Sequence, residues 1–467
     1  MNLKQRRSLP VRLTFLYCII SLAVSTPCLA SPWQTPAGKI IDTITCQADH
    51  SQSYALYIPT KSSGQPLPVI YFFDPHAAGA HPLKKYRSLA DEYGFILVGS
   101  NNSKNGNDWP TTENIWRSLL QDTREKLKID GNRIYTAGFS GGAKVASYIA
   151  IQHNIIKGVI VNGAGLPDGV SAGDFNFNLT VLAGEGDLNL TDLVSLNKSL
   201  DKSRTRHRII YFDGIHEWAP ATTMSRAFTG LKLDAMQTGL IPKDETFINR
   251  YSVKSKNSIN TLYQSQQLIK AGEECKVSIS FLDGLTNEAS WFKEKITSLS
   301  GNTLYQKQQQ AQENLLVREQ GIKTGYMPHF QQSDNTWWSK TISDLRTGAR
   351  TKTAERAMYQ RLLAYLSLAF YSFSNQLINS NNNPAARHFI DLYKMADSTN
   401  SEAWYFSAIL NAREGQPHVA ENDLQRAVGY GFRDKDRLLA QPEFKAASGK
   451  IDLPGIERKM KAPLKEN

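Results

Sequence analysis

Between residues 40 and 212 the chain alternates short apolar runs with amphipathic stretches. The runs at 40–46, 54–59, 67–73, 95–99, 134–137, 156–162, 179–183 and 208–212 have the length and composition of strands. The run at 67–73, LPVIYFF, is apolar throughout, as expected of a central parallel strand covered on both faces. Residues 83–93, 112–128, 143–151 and 190–202 lie between these runs and carry helical patterning. Strand alternating with helix predicts an α/β architecture: a doubly wound, mostly parallel sheet with helices on both faces. In such sheets the reactive groups gather at the carboxyl ends of the strands.

After about Gly239 the strand pattern largely stops, and a boundary is expected near Ile241-Pro242. Helices are expected at 257–271, 287–296 and 304–318, from Trp337-Trp338 onward, and over a long stretch at 353–378. Residues 277–282 read as a lone strand. Near the end, Trp404, Ala408, Ala420, Leu424 and Ala427 fit the spacing of a packed helix pair, and Phe370, Ser374, Ala386 and Ile390 stand 34 residues earlier. Tyr393 takes the place of the last alanine. Small residues at such sites let two helices approach, and large ones fill the groove between them. This segment resembles tetratricopeptide repeats, about two copies with a terminal cap around 437–447. That resemblance implies a concave surface for a protein or peptide partner; the alternative is an all-helical appendage that shapes the mouth of the first domain. The expected organisation is therefore a leader at 1–30, an α/β domain at 35–240, a helical connecting region at 241–352 and helical repeats at 353–450.

The candidate chemistry sits at strand ends. Gly138-Phe139-Ser140-Gly141-Gly142 is a G-x-S-x-G sequence between a predicted strand and a predicted helix. Its glycines allow a turn tight enough to project the Ser140 hydroxyl, and the following helix aims free N–H groups at the same spot. A serine hydroxyl needs an imidazole to take its proton and a carboxylate to fix the imidazole tautomer. His216 follows the last strand in Gly214-Ile215-His216-Glu217-Trp218 and is the expected base; His50, His153, His207, His329, His388 and His418 read as surface or packing residues. Asp187, in Gly184-Glu185-Gly186-Asp187 after the preceding strand, is the expected acid, with Glu185, Asp192 and Asp213 as its nearest rivals. Oxyanion donors are expected from the N–H of Gly141 and from Ala77 or Ala78 in the loop after the third strand, where His76 is expected to brace the loop. Trp109, Phe139 and Trp218 are candidate cleft residues, with core packing as the alternative for each.

These segments carry a resemblance. PHAAG at 75–79, GFSGG at 138–142, GEGDLN at 184–189 and GIHEWAP at 214–220 make residues 35–240 similar to the α/β-hydrolase superfamily. Within it, the chain resembles secreted esterases related to polyhydroxybutyrate depolymerases and feruloyl esterases. Ala77 stands where glycine is usual in that family. The resemblance implies Ser140, Asp187 and His216 as catalytic residues, hydrolysis of a carboxylic ester through an acyl-enzyme, and no cofactor. The ester is expected to be aryl- or polysaccharide-linked. A prolyl-oligopeptidase-like peptidase and a non-catalytic binding protein acting through its repeats are the alternatives.

Composition adds a compartment. The 467 residues are 41% hydrophobic and 21% charged, a globular balance long enough for two domains. The first thirty residues differ: Lys4, Arg6, Arg7 and Arg12 precede an apolar stretch at 13–24 and a small-residue end at Ala30. This reads as a cleaved secretory signal, giving a periplasmic or extracellular protein. Its removal takes the formal charge from +11 to +7. No later stretch is long and apolar enough to span a bilayer, and no basic run interleaved with aromatics points to nucleic acid. Cys18 and Cys28 leave with the leader. Cys46 and Cys275 remain, as one disulfide or two buried thiols, and no Cys/His spacing suggests a metal.

Overall fold

A computed structural model describes residues 36–60, 64–332 and 334–460; the leader lies outside them. Eight strands form one sheet: β1 (Ile40–Thr45), β2 (Ser53–Tyr57), β3 (Leu67–Phe73), β4 (Ile96–Ser100), β5 (Ile129–Phe139), β6 (Ile156–Asn162), β7 (Asn178–Gly184) and β8 (His207–Phe212). Their order is β1-β2-β4-β3-β5-β6-β7-β8. β2 pairs antiparallel with both β1 and β4, and every pair from β4 to β8 is parallel.

The parallel strands are largely apolar along their buried stretches because alternate residues feed two separate cores. In β3, Ile70 and Phe72 enter one core while Val69, Tyr71 and Phe73 enter the other. The second core is closed by α2 (Trp109–Lys126), α3 (Gly141–Gln152) and α4 (Leu190–Leu200), through Trp116, Ala146 and Leu193 among others. The first is closed by α1 (Ala80–Tyr93) and α5 (Ala221–Gln237), then by α6 (Glu245–Gln264), α7 (Leu268–Leu282) and α8 (Ala289–Ser300). Much of the expected connecting region therefore packs on the sheet.

The expected strand at 277–282 is instead the last part of α7. Its V-S-I-S-F alternation mimics a strand, but Ser278 is buried against α6, with its Oγ 2.6 Å from Ser255 Oγ. The expected helix at 257–271 is also broken: Gln266, at φ 59°, turns the chain between α6 and α7. Cys46 and Cys275 are both free and buried. They belong to the cores on opposite faces of the sheet, which rules out a bridge without refolding.

The remaining helices are α9 (Thr303–Tyr326), α10 (His329–Gln332), α11 (Asn335–Ala349), α12 (Arg356–Asn379), α13 (Asn383–Ala396), α14 (Ser401–Arg413), α15 (Pro417–Gly429), α16 (Lys435–Ala440), α17 (Pro442–Ala446) and α18 (Leu453–Met460). They build a third core, in which Phe370, Ala386, Ile390, Ala408, Ala420, Leu424 and Ala427 are all buried. Asn302, Asp334, Asn382 and Asn400 cap α9, α11, α13 and α14 by accepting backbone N–H bonds, so these helix starts are written locally. α9 joins the two regions: Tyr305 lies in the sheet-side core and Tyr326 in the helical one. Among the described residues no helix is long and apolar enough to cross a membrane.

Candidate active site

Ser140 occupies the turn from β5 into α3 at φ 53° and ψ −124°, a backbone that side-chain-bearing residues rarely adopt. Close backbone contacts enforce it. A Cβ at Gly138 would come within 2.0 Å of the Gly142 carbonyl oxygen, and one at Gly142 within 1.9 Å of that of Phe73. The Ser140 N–H donates to the Asn162 carbonyl at 2.9 Å, tying the turn to the end of β6.

The acid and the imidazole arrive from the ends of β7 and β8. His216 Nε2 lies 3.0 Å from Ser140 Oγ, and His216 Nδ1 lies 3.0 Å from both carboxylate oxygens of Asp187. A carboxylate only accepts, so Nδ1 carries the proton and Nε2 is left to accept from the serine hydroxyl. Asp187 is fully buried, and its Oδ1 also accepts the N–H of Asn189 at 2.8 Å. Of the rival acids, Glu185 pairs with Lys270 at 3.7 Å and Asp213 with Arg356. Asp192 stands in the first turn of α4.

The loops that carry these groups are tied together. The N–H groups of Glu185 and Gly186 donate to the carbonyls of Phe212 and Gly214, at 2.9 and 2.8 Å. Asn162 Oδ1 accepts the N–H of Ala219 at 2.7 Å, and Tyr86 donates to the Ala219 carbonyl at 2.7 Å. The His216 ring rests on Phe139, with centroids 4.7 Å apart. Gly163, at φ 69°, allows this packing: a Cβ there would sit 3.0–3.1 Å from Phe139, Asp187 and His216. Sequence reasoning passed over Gly163; its signal was a glycine directly after a buried strand.

The candidate oxyanion donors lie at the first residue of α3 and in the loop after β3. Gly141 is the first residue of α3, so its N–H has no partner within the helix. Ala77 has φ 58°, the left-handed backbone that glycine would take more easily. Its N–H donates to the Asp74 carbonyl at 3.2 Å, which leaves Ala78 as the better donor of the two. Asp74 anchors this loop by accepting the His76 N–H at 2.9 Å and the Trp218 indole N–H at 2.8 Å. Burial pushes the Asp74 carboxyl up, but the His76 imidazole beside it together with these bonds outweighs it and holds the group below the ordinary carboxylate range. The same carboxylate, 3.6 Å from the His76 imidazole Nδ1, raises His76 in turn, and the charge of Glu402 on α14 adds to the effect.

Asn105 was also missed. Its side-chain oxygen occupies the space where a Cβ on Gly141 would be, 1.8 Å from that position, and its N–H donates to the Pro75 carbonyl at 2.8 Å. The three aromatic cleft candidates separate. Trp109 begins α2 and stacks on Tyr148 at 4.3 Å, two turns along α3 from the serine. Phe139 lies beneath the imidazole. Trp218 is buried against Phe72, Tyr86 and Phe139 and braces the loop through Asp74. A groove of about 710 Å³ runs past Asn189, between α3, α4 and the loop after β6, lined by Leu166, Val170 and Leu193 among others.

No family model matches the sequence, and no curated protein matches it. Solved structures do match in part. A hyperthermophilic esterase from the archaeon Pyrobaculum calidifontis aligns over 42% of this chain and 86% of its own, at 14% identity and a TM-score of 0.36. EstE1, a thermophilic carboxylesterase cloned from a metagenomic library, aligns over 45% and 92%, at 17% identity and 0.35. An S-formylglutathione hydrolase from Agrobacterium tumefaciens aligns over 42% and 93%, at 16% identity and 0.33. The fold of this chain is a mostly parallel eight-stranded sheet with helices on both faces, followed by a large all-helical region.

Proposed function

We propose that the protein is a serine hydrolase that cleaves carboxylic esters through an acyl-enzyme. The observation that carries this reading is the continuous hydrogen-bonded line Ser140 Oγ, His216 Nε2, His216 Nδ1, Asp187 at the carboxyl edge of the sheet.

In this reading Ser140 Oγ attacks the acyl carbon while His216 Nε2 takes its proton. The carbonyl electron pair moves onto oxygen, where the N–H groups of Gly141 and Ala78 stabilise it. Collapse breaks the bond to the alkoxy oxygen, which leaves with the proton from His216. Water then repeats the sequence on the acyl-serine, and Ser140 recovers its hydrogen. Asp187, desolvated and doubly hydrogen-bonded, holds the ring and stabilises the imidazolium that forms. Each proton and electron pair passes between groups of the chain and substrate, so the scheme calls for no cofactor. Export follows only from the charged and apolar leader.

A panel of aryl esters and aminoacyl amides, run with wild type and Ser140→Ala, tests this. Ester cleavage lost in the variant is the expected result. Cleavage of amides alone would move the assignment to a peptidase, and ester cleavage unchanged in the variant would remove Ser140 from the chemistry.

A further inference from the structure

We infer that helix α12 of the helical region is part of the active site, with Arg361 as a positioning residue for the Asp187–His216 couple. This rests on the serine-hydrolase reading and extends it to residues beyond the sheet.

Three side chains on the first turns of α12 reach the two loops that hold the acid and the imidazole. Arg361 Nη1 donates to the carbonyl of Glu185, two residues before Asp187, at 2.5 Å. Gln360 packs on Gly186, where an added Cβ would sit 2.5 Å from its Oε1. Arg356 pairs with Asp213, three residues before His216. Because Gly186 donates to Gly214, pressure on either loop is felt by both.

Arg361 is itself held rigid. It is 5% exposed and lies between Glu185 and Glu319 of α9, which is 3% exposed. Its Nε and Nη2 donate to Glu319 Oε2 at 2.8 and 2.6 Å, while Lys323 bonds the other oxygen at 2.7 Å. The planar guanidinium thus spans a buried carboxylate on one side and the acid loop on the other, which a lysine ammonium cannot do. Behind it, Leu362, Leu366 and Phe370 fix α12 in the helical core. A buried guanidinium bonded to the backbone beside the acid sets where Asp187 meets the imidazole.

The test uses the full chain. Arg361→Lys keeps a charge for Glu319 but gives up the fork, and Arg361→Met combined with Glu319→Met removes both partners so that no carboxylate is stranded. Arg387→Met, which breaks the Arg387–Glu414 pair inside the helical region, is the control. Each protein is measured for kcat and KM on an aryl ester, for the pH dependence of fluorophosphonate labelling at Ser140, and for melting temperature. Because small misplacements are costly, both Arg361 variants are expected to lose roughly 10- to 100-fold in kcat with KM nearly constant. The labelling midpoint is expected to move to lower pH, since an acid loosened from the ring stabilises the imidazolium less. The control should match wild type. Arg361 variants with wild-type kcat and midpoint overturn the inference, and so does a kcat loss that tracks melting temperature with the midpoint unmoved. Wild type that takes no label at Ser140 overturns the hydrolase reading itself, and this inference with it.

Discussion

The indole of Trp218 donates to the buried carboxylate of Asp74 at 2.8 Å, joining the loop of His216 to the loop that carries the candidate oxyanion donors. Two loops whose bonded residues stand 144 positions apart in sequence are thereby fixed against each other. Trp218→Phe keeps the ring and removes the donor. A hydrogen bond to a buried carboxylate contributes about 1.5–3 kcal/mol, so a loss in that range is expected from denaturant unfolding. The pH effect has a definite sign. Asp74 is held below its unfolded value, so its contribution is complete above that value and is lost as pH falls through the folded one. Removing the donor raises the folded value, so the acid unfolding midpoint should move to higher pH. An unmoved midpoint would mean the bond does not stabilise the carboxylate.

Gly163 tests how tightly the couple is packed. Gly163→Ala forces a side chain into a left-handed backbone, at about 1–2 kcal/mol, and drives its methyl against Phe139, Asp187 and His216. The melting temperature should fall, and the labelling rate of Ser140 should fall further than stability alone accounts for. Equal labelling in folded protein would show that the triad tolerates the displacement.

Ala77 makes the opposite case. At φ 58° it bears strain that Ala77→Gly relieves. Part of the gain is offset by the greater freedom of glycine in the unfolded chain, leaving a net stabilisation of about 0.5–1 kcal/mol. Thermal unfolding reads this directly, and a lowered midpoint would count against a strained oxyanion loop.

The two buried thiols lie in separate cores, and burial pushes Cys46 up to about 11 and Cys275 up to about 12. Alkylation needs the thiolate, so Cys46 and Cys275 should resist iodoacetamide at neutral pH in native protein and both react once it is unfolded. Mass spectrometry of peptides from native and denatured samples checks this; a Cys46–Cys275 linked peptide, two mass units lighter than the two reduced ones together, would reveal a disulfide instead.

Legibility in the sequence divided along physical lines. The sheet was readable because two-sided burial leaves long apolar runs such as 67–73, and the serine turn because Gly138, Ser140 and Gly142 satisfy one local constraint. Asp187 and His216 stood out by following strands whose ends converge. The last turns of α7 misread because a five-residue alternation looks alike on a strand and on a helix with one buried serine. Trp109 and Trp218 could not be sorted as lining or packing, since their partners Tyr148 and Asp74 are distant in sequence. Arg361 had no local signal at all: its bonds to Glu185 and Glu319 exist only once α9 and α12 have docked on the sheet.

The central claim is that Ser140 is a nucleophile activated by His216 and Asp187. Intact-mass analysis after exposure of folded wild type, Ser140→Ala and His216→Ala to a fluorophosphonate addresses it most directly. The account predicts one adduct per wild-type chain, mapped to the peptide bearing Ser140, none on Ser140→Ala, and labelling slowed at least a thousandfold on His216→Ala, within the ~10³–10⁶ range for removal of a triad base. Folded wild type that stays unmodified, or an adduct that persists on Ser140→Ala, would contradict it.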